Sequence, residues 1–131
     1  MTTQPVKNVH ITIRKAAADV YAFASQPENF SQWVKLIQSV TKKGDHWIAK
    51  TASGDIVINW APHNEFYVLD HHVTFPNGDR VFNAMRIIPN QEGSEFVFTL
   101  FQRPGRTAAE FEEDAGLVQA DLEILKRIME G

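Results

Sequence analysis

The segment that follows Gly105 constrains the fold more than any other part of the chain. Phe111, Val118, Leu122, Leu125 and Met129 recur at helical spacings, and Leu117, Ile124 and Ile128 widen the stripe. This is the pattern of an amphipathic helix that must bury one face. Thr107 and Glu110 have the spacing of a capping box, in which a hydroxyl and a carboxylate each satisfy an orphan backbone N–H, so the helix is predicted to begin near Thr107. Over Ala108–Met129 such a helix is about 33 Å long, and a nine-residue strand is about 30 Å long. One helix can therefore run the length of a sheet. The residues before it read mainly as strands, which predicts an α+β chain with a long C-terminal helix lying on a curved antiparallel sheet of about seven strands.

The remaining elements follow from changes in hydrophobic period. Val9, Ile11 and Ile13 alternate with His10 and Thr12 as a half-buried strand does. From Lys15 to Ser25 the period changes to that of a short alanine-rich helix with Val20 and Phe23 on one side. Pro27 suits the first turn of a second short helix, where its missing N–H costs nothing, and Phe30, Trp33 and Val34 give that helix its buried side. Strands are predicted within Leu36–Lys43 and His46–Ser53, joined by a turn at Lys43-Gly44-Asp45.

Turn chemistry predicts the register of the later hairpins. Asn77-Gly78 reads as a two-residue type I′ turn, pairing Thr74 with Val81, His72 with Asn83 and Asp70 with Met85. A preceding loop at Ala61–Glu65 sets Trp60 against Phe66 and Ile58 against Val68. A following turn at Asn90–Gly93 sets Ile87 against Phe96, Met85 against Phe98 and Asn83 against Leu100. These registers place Ile56, Ile58, Trp60, Phe66, Val68, Val81, Met85, Ile87, Phe96, Phe98 and Leu100 on one inner face. The opposite face carries Asp55, Asn59, Glu65, His71, Arg80, Arg86, Glu95 and Arg103, together with Tyr67, Leu69, Val73, Phe82, Val97 and Phe101. Slippage of one hairpin by a residue would exchange its faces.

A chain of 131 residues is the size of one domain, expected to span 1–131, and should remove roughly two-thirds of its unfolded surface from water. Thirteen basic and 16 acidic residues are mixed along the chain with a net charge of −3, which argues against a nucleic-acid binder built on concentrated Lys and Arg. There is no cysteine, so disulfides and thiol chemistry are excluded. The first eight residues are polar and no long apolar run occurs. The expectation is a cytoplasmic protein without stable membrane insertion.

The order of elements is strand, two short helices ending near a tryptophan, six strands in hairpins and one long helix. It resembles the helix-grip fold of the START-like (SRPBCC) superfamily, most nearly the polyketide cyclase and dehydrase-like proteins. The resemblance rests on Ile13 through Ala17, on Val20-Tyr21-Ala22-Phe23, on Pro27-Glu28-Asn29-Phe30 with Trp33, and on the terminal helix. Where many relatives have proline before the first helix, this chain has Ala16-Ala17-Ala18, leaving Asp19 or an earlier polar group to start it. The resemblance implies a hydrophobic ligand held between sheet and helix. The lining predicted here is Ile56, Ile58, Trp60, Phe66, Val68, Met85, Phe96, Phe98 and Leu100 from the sheet, and Val118, Leu122 and Leu125 from the helix. The alternative is that these same residues meet in a filled core.

Among polar residues, Asp70, His72 and Asn83 form the sharpest candidate set, as cross-strand or same-face neighbours that can orient a ligand or move a proton. Their competing reading is a structural polar cluster or exposure at the sheet rim. Thr74 and Gln102 extend the same end, and Gly54 leaves room there. His71 has the opposite parity, so His71-His72 is a poor metal pair, and no metal-ligand set or cofactor motif is found. His63, in the loop after Trp60, can join Asn64 at the cavity entrance or be an ordinary exposed loop histidine. Asp121 can face the cavity or lie at the helix border. Three functions therefore compete. They are small hydrophobic ligand binding, a cyclase- or dehydratase-like reaction using His72 or Asp70, and a regulatory or co-chaperone-like interaction module, with a homodimer as one use of outward-facing Tyr67, Leu69, Phe82 and Phe101.

Overall fold

The computed structural model describes residues 1–131. It contains β1 (Val6–Ile13), α1 (Ala17–Ala24), a 3₁₀ turn at Pro27–Asn29 leading into α2 (Phe30–Trp33), β2 (Ser39–Lys43), β3 (His46–Thr51), β4 (Gly54–Trp60), β5 (His71–Thr74), β6 (Arg80–Asn90), β7 (Gly93–Phe101) and α3 (Ala108–Glu130). The seven strands form one antiparallel sheet in the order β1-β7-β6-β5-β4-β3-β2. The chain thus has the predicted helix-grip architecture.

Local chemistry explains the element ends. Thr107 Oγ1 accepts from the Glu110 N–H at 3.1 Å, and the Glu110 carboxylate accepts from the Thr107 N–H at 2.8 Å, closing the capping box. Thr107→Ala should cost about 1 kcal/mol of stability, read as a lower denaturant midpoint with unchanged slope, and Thr107→Ser should restore it. Helix α1 starts at Ala16 without a side-chain cap, and Asp19 in its first turn is the acidic group near its positive end.

The helices share the concave face of the sheet unequally. Helix α1 packs on β6 and β7, while α3 rests chiefly on β1 and also touches β7 and α2. Ile13, Val20, Ile87, Phe96, Leu122 and Leu125 are fully enclosed in this half of the molecule. Each such side chain contributes about 1.5–3 kcal/mol by leaving water. Phe96 lies edge-on to Trp33, with ring centroids 5.8 Å apart.

Two hairpins depart from the predicted register. The β5–β6 loop has three residues, Pro76-Asn77-Gly78, and pairs His71 with Asn83, His72 with Phe82 and Val73 with Val81. The cause is Pro76. A two-residue turn would make it the flanking pair partner of Asp79, a position that needs a backbone N–H that proline lacks. Phe75 takes that place and donates its N–H to Asp79 O at 2.8 Å. Gly78 donates to Phe75 O and closes the loop at φ +92°, where glycine carries no steric penalty.

The β4–β5 connection is also longer than Ala61–Glu65, because Trp60 pairs with His71. Asn64 ties this loop together. Its Oδ1 accepts from the N–H groups of Phe66 and Val68, its Nδ2 donates to Pro62 O and Val68 O, and its own N–H donates to Tyr21 Oη. This leaves Phe66 74% exposed, and Val68 makes only an isolated bridge to Arg86. Neither belongs to the inner wall. The β6–β7 hairpin keeps the predicted register, with Ile87 opposite Phe96 and Met85 opposite Phe98.

Candidate functional site

Because α3 rests mainly over β1, helix side chains leave part of the concave surface of β4, β5 and β6 uncovered. The result is a cavity of about 480 Å³, with 16 of its 22 lining residues apolar, a volume within the roughly 300–1,000 Å³ range of small-molecule sites. The sheet contributes Ile56, Ile58, Val73, Val81, Met85, Phe98 and Leu100, and α3 contributes Val118 and Leu122. Phe30, Trp33 and the segment Val34–Ile37 close one side. Leu36 and Leu117 also line it, and both are more than half exposed, which puts apolar side chains at its rim.

Of the twelve side chains predicted to line a ligand site, Ile56, Ile58, Met85, Phe98, Leu100, Val118 and Leu122 do border the cavity. Phe96 and Leu125 lie in the packed core beside it. Trp60 packs between Phe30 and His71 with tilted rings, at centroid distances of 4.8 and 4.3 Å. Phe66 and Val68 lie in the loop tied by Asn64.

The polar set predicted from sequence is dispersed by the one-residue change in register. Asp70 leaves the inner face. Its carboxylate accepts from Arg86 Nη2 at 2.8 Å and from the Met85 N–H at 3.0 Å. His72 lies opposite Phe82 and packs at a tilt against its ring on the outer face, with centroids 5.1 Å apart. Only Asn83 of the three reaches the cavity, where its neighbour is His71. Leu69 and Val73, assigned outward, are buried for the same reason. His63 is exposed and packs on Tyr21 rather than on the cavity wall.

His71 and Asn83 define one another's chemistry. His71 is buried, with its Nδ1 3.0 Å from Leu69 O. A carbonyl can only accept, so Nδ1 carries the proton. Burial holds the ring pKa down at about 4 against an ordinary 6.5, opposed by the bond to Leu69 O and the charge of Asp70. The neutral ring then offers only a lone pair at Nε2, and Asn83 donates to it through Nδ2 at 3.3 Å. This orients the Asn83 amide and leaves Oδ1 and the second amide N–H free of protein partners. Asn83 is half-buried among the lining residues, so these valences serve the cavity.

Charged groups gather toward the other end. Asp114 is held by Arg106 through two nitrogens, at 2.6 and 3.2 Å. Asp121 Oδ1 accepts from the Lys35 N–H at 3.2 Å, and partial burial raises its pKa. Arg103 lies with its guanidinium carbon 4.3 Å from the centre of the Phe75 ring. Alternation along β7 assigned Arg103 to the outer face, but the strand ends at Phe101 and the turn closed by the Arg106 N–H to Arg103 O bond redirects the chain. His71, Val73, Phe75, Arg103, Asp114 and the Lys35–Ile37 segment were therefore missing from the sequence reading of the lining. Pro76 was the available signal for the first three.

No group of histidine and acidic side chains is placed to hold a metal ion, and no helix is long and apolar enough to cross a membrane.

No family model matches the sequence, and no curated protein matches it. Solved structures do match the fold. An uncharacterised protein from Bacillus thuringiensis superimposes with a TM-score of 0.79 at 11% identity, covering 95% of this chain and 98% of that one. A START superfamily protein from Mycobacterium smegmatis gives 0.72 at 11% identity over 95% and 97% of the two chains. DynU16, a protein of the dynemicin biosynthetic locus, gives 0.75 at 15% identity over 98% of this chain and 48% of its own. These similarities define the class: the chain has the START-like helix-grip fold.

Proposed function

We propose that this protein binds a small hydrophobic molecule in the cavity between β4–β6 and α3. The observation that carries the reading is the cavity itself, about 480 Å³ and mainly apolar, with the half-free amide of Asn83 fixed in its wall. Apolar enclosure supplies affinity, and a few oriented polar groups supply selectivity. Ligand binding stands ahead of a cyclase- or dehydratase-like reaction, because Asp70 is engaged by Arg86 and His72 packs against Phe82 on the outer face. The one buried histidine has its proton and its lone pair committed to Leu69 and Asn83.

The test uses N-phenyl-1-naphthylamine, a neutral dye that fluoresces in apolar surroundings. Wild-type protein should bind it saturably. Val81→Trp, which places an indole where a lining valine opposes Val73, should abolish the signal while leaving the thermal midpoint within a few degrees. Absence of saturable binding to the wild type, or full retention in the variant, would overturn the proposal.

A further inference from the structure

The cationic side chains of this protein divide cleanly. Arg86, Arg106, Arg14, Lys7 and Lys126 each contact a carboxylate. Lys15, Lys35, Lys42, Lys43, Lys50, Arg80 and Arg127 contact no carboxylate and are exposed, where water solvates them. Arg103 alone is withdrawn from solvent without a counter-charge. It is half-buried, borders the cavity and lies over Phe75, and its side chain makes no hydrogen bond or ion pair. The face of an aromatic ring compensates part of the lost hydration, yet leaves the N–H fork unpaired. The acidic residues that share the cavity wall do not supply the missing partner. Asp114 is satisfied by Arg106, and Asp121 is anchored to the Lys35 backbone.

Arg103 also has a defined position along the cavity. His71, Val73 and Phe75 follow one another on the inner face of the β5 segment, with Asn83 beside His71 and Arg103 over Phe75. Four residues of extended chain separate the two polar points by about 13 Å. Between them the wall is apolar, with Val73 paired with Val81.

We infer that the ligand is an amphipathic anion, a carboxylate on an apolar body, with its carboxylate held by Arg103 and its body directed toward Asn83. Guanidinium and carboxylate match as a two-point fork, and partial burial strengthens the pair relative to one in water. This deepens the ligand-binding proposal and rests on it.

Decanoate and 1-decanol, which share an alkyl chain and differ in charge at pH 7.5, separate the two ideas when each displaces N-phenyl-1-naphthylamine. Wild-type protein should favour decanoate, and the preference should shrink as salt rises. Arg103→Gln should weaken decanoate by about tenfold or more, as loss of a charge-assisted bond requires, and shift 1-decanol by no more than about twofold. Arg103→Lys, which keeps charge but not the fork, should fall between. The inference is overturned if Arg103→Gln leaves decanoate unchanged, weakens both amphiphiles equally, or has less effect than Lys35→Gln at the exposed lysine of the rim. Failure of both amphiphiles and the dye to bind the wild type overturns the ligand reading as well; binding of dye and alcohol without preference for decanoate overturns only the anion.

Discussion

Phe96→Ala should destabilise the protein by about 3–5 kcal/mol, the cost of a large cavity in a core that collapses only partly around it. Phe96 is wholly enclosed on β7, opposite Ile11 on one side and Ile87 on the other, with Trp33 edge-on above it. It therefore joins β1, β6 and α2, the elements that fix the closed half of the molecule. Proteins of this size have roughly 5–15 kcal/mol of total stability, so the variant should lose a large share and unfold at a much lower urea concentration. A loss below about 1 kcal/mol, as expected of a surface substitution, would contradict the packing described. Val81, on the wall of the existing cavity, offers a contrast. There the fold already tolerates empty space, and added volume should affect the dye more than stability.

The second large effect is one of pH. The folded His71 ring stays neutral down to about pH 4, whereas in the unfolded chain it takes up a proton near 6.5. Between these values the unfolded state binds more protons, so stability falls as pH falls from 6.5 through 4. The whole shift corresponds to on the order of 3 kcal/mol, with about 2 of it lost by pH 5. Most carboxylates remain ionised in both states over that upper interval, which isolates the histidine. Glu130, held down to about 2 by Lys126 and the Arg14 N–H, adds its own loss only below the ordinary glutamate range. Urea midpoints measured at several pH values should decline from 6.5 to 5 in the wild type and stay nearly level in His71→Phe, which keeps a ring against Trp60 and Phe30 but cannot titrate. Equal slopes in the two proteins would exclude a buried neutral His71.

Much of the fold could be read from residues acting on near neighbours. The stripe from Phe111 to Met129, the Thr107–Glu110 box and the switch from period two to helical period after Ile13 depend on spacing along a few turns of chain. The structure places α3, its cap, β1 and α1 accordingly. The register of β6 with β7 was equally local, because the Asn90–Gly93 turn and the alternation on both sides agree.

The candidate site was less legible because strand parity magnifies small errors. Counting Pro76 as a strand residue shifts β5 by one position and puts His72, Thr74 and Asp70 on the inner face in place of His71, Val73 and Leu69. Asn83 kept its face because β6 is fixed independently by β7. The loop before β5 departs from the hydrophobic pattern for a different reason. Asn64 closes it with hydrogen bonds that no hydrophobic pattern records, so Phe66 and Val68 read as alternating strand residues and are not.

The sequence by itself determined the elements, the cap of the last helix and the helix-grip class, since these follow from periodicity and from donors and acceptors a few residues apart. Tertiary structure decided which histidine enters the cavity, that a space of about 480 Å³ remains under α3, and that Arg103 borders it without a carboxylate. Those properties depend on where a helix rests on a curved sheet and on which charges meet across it, distances set by packing between segments remote in the chain.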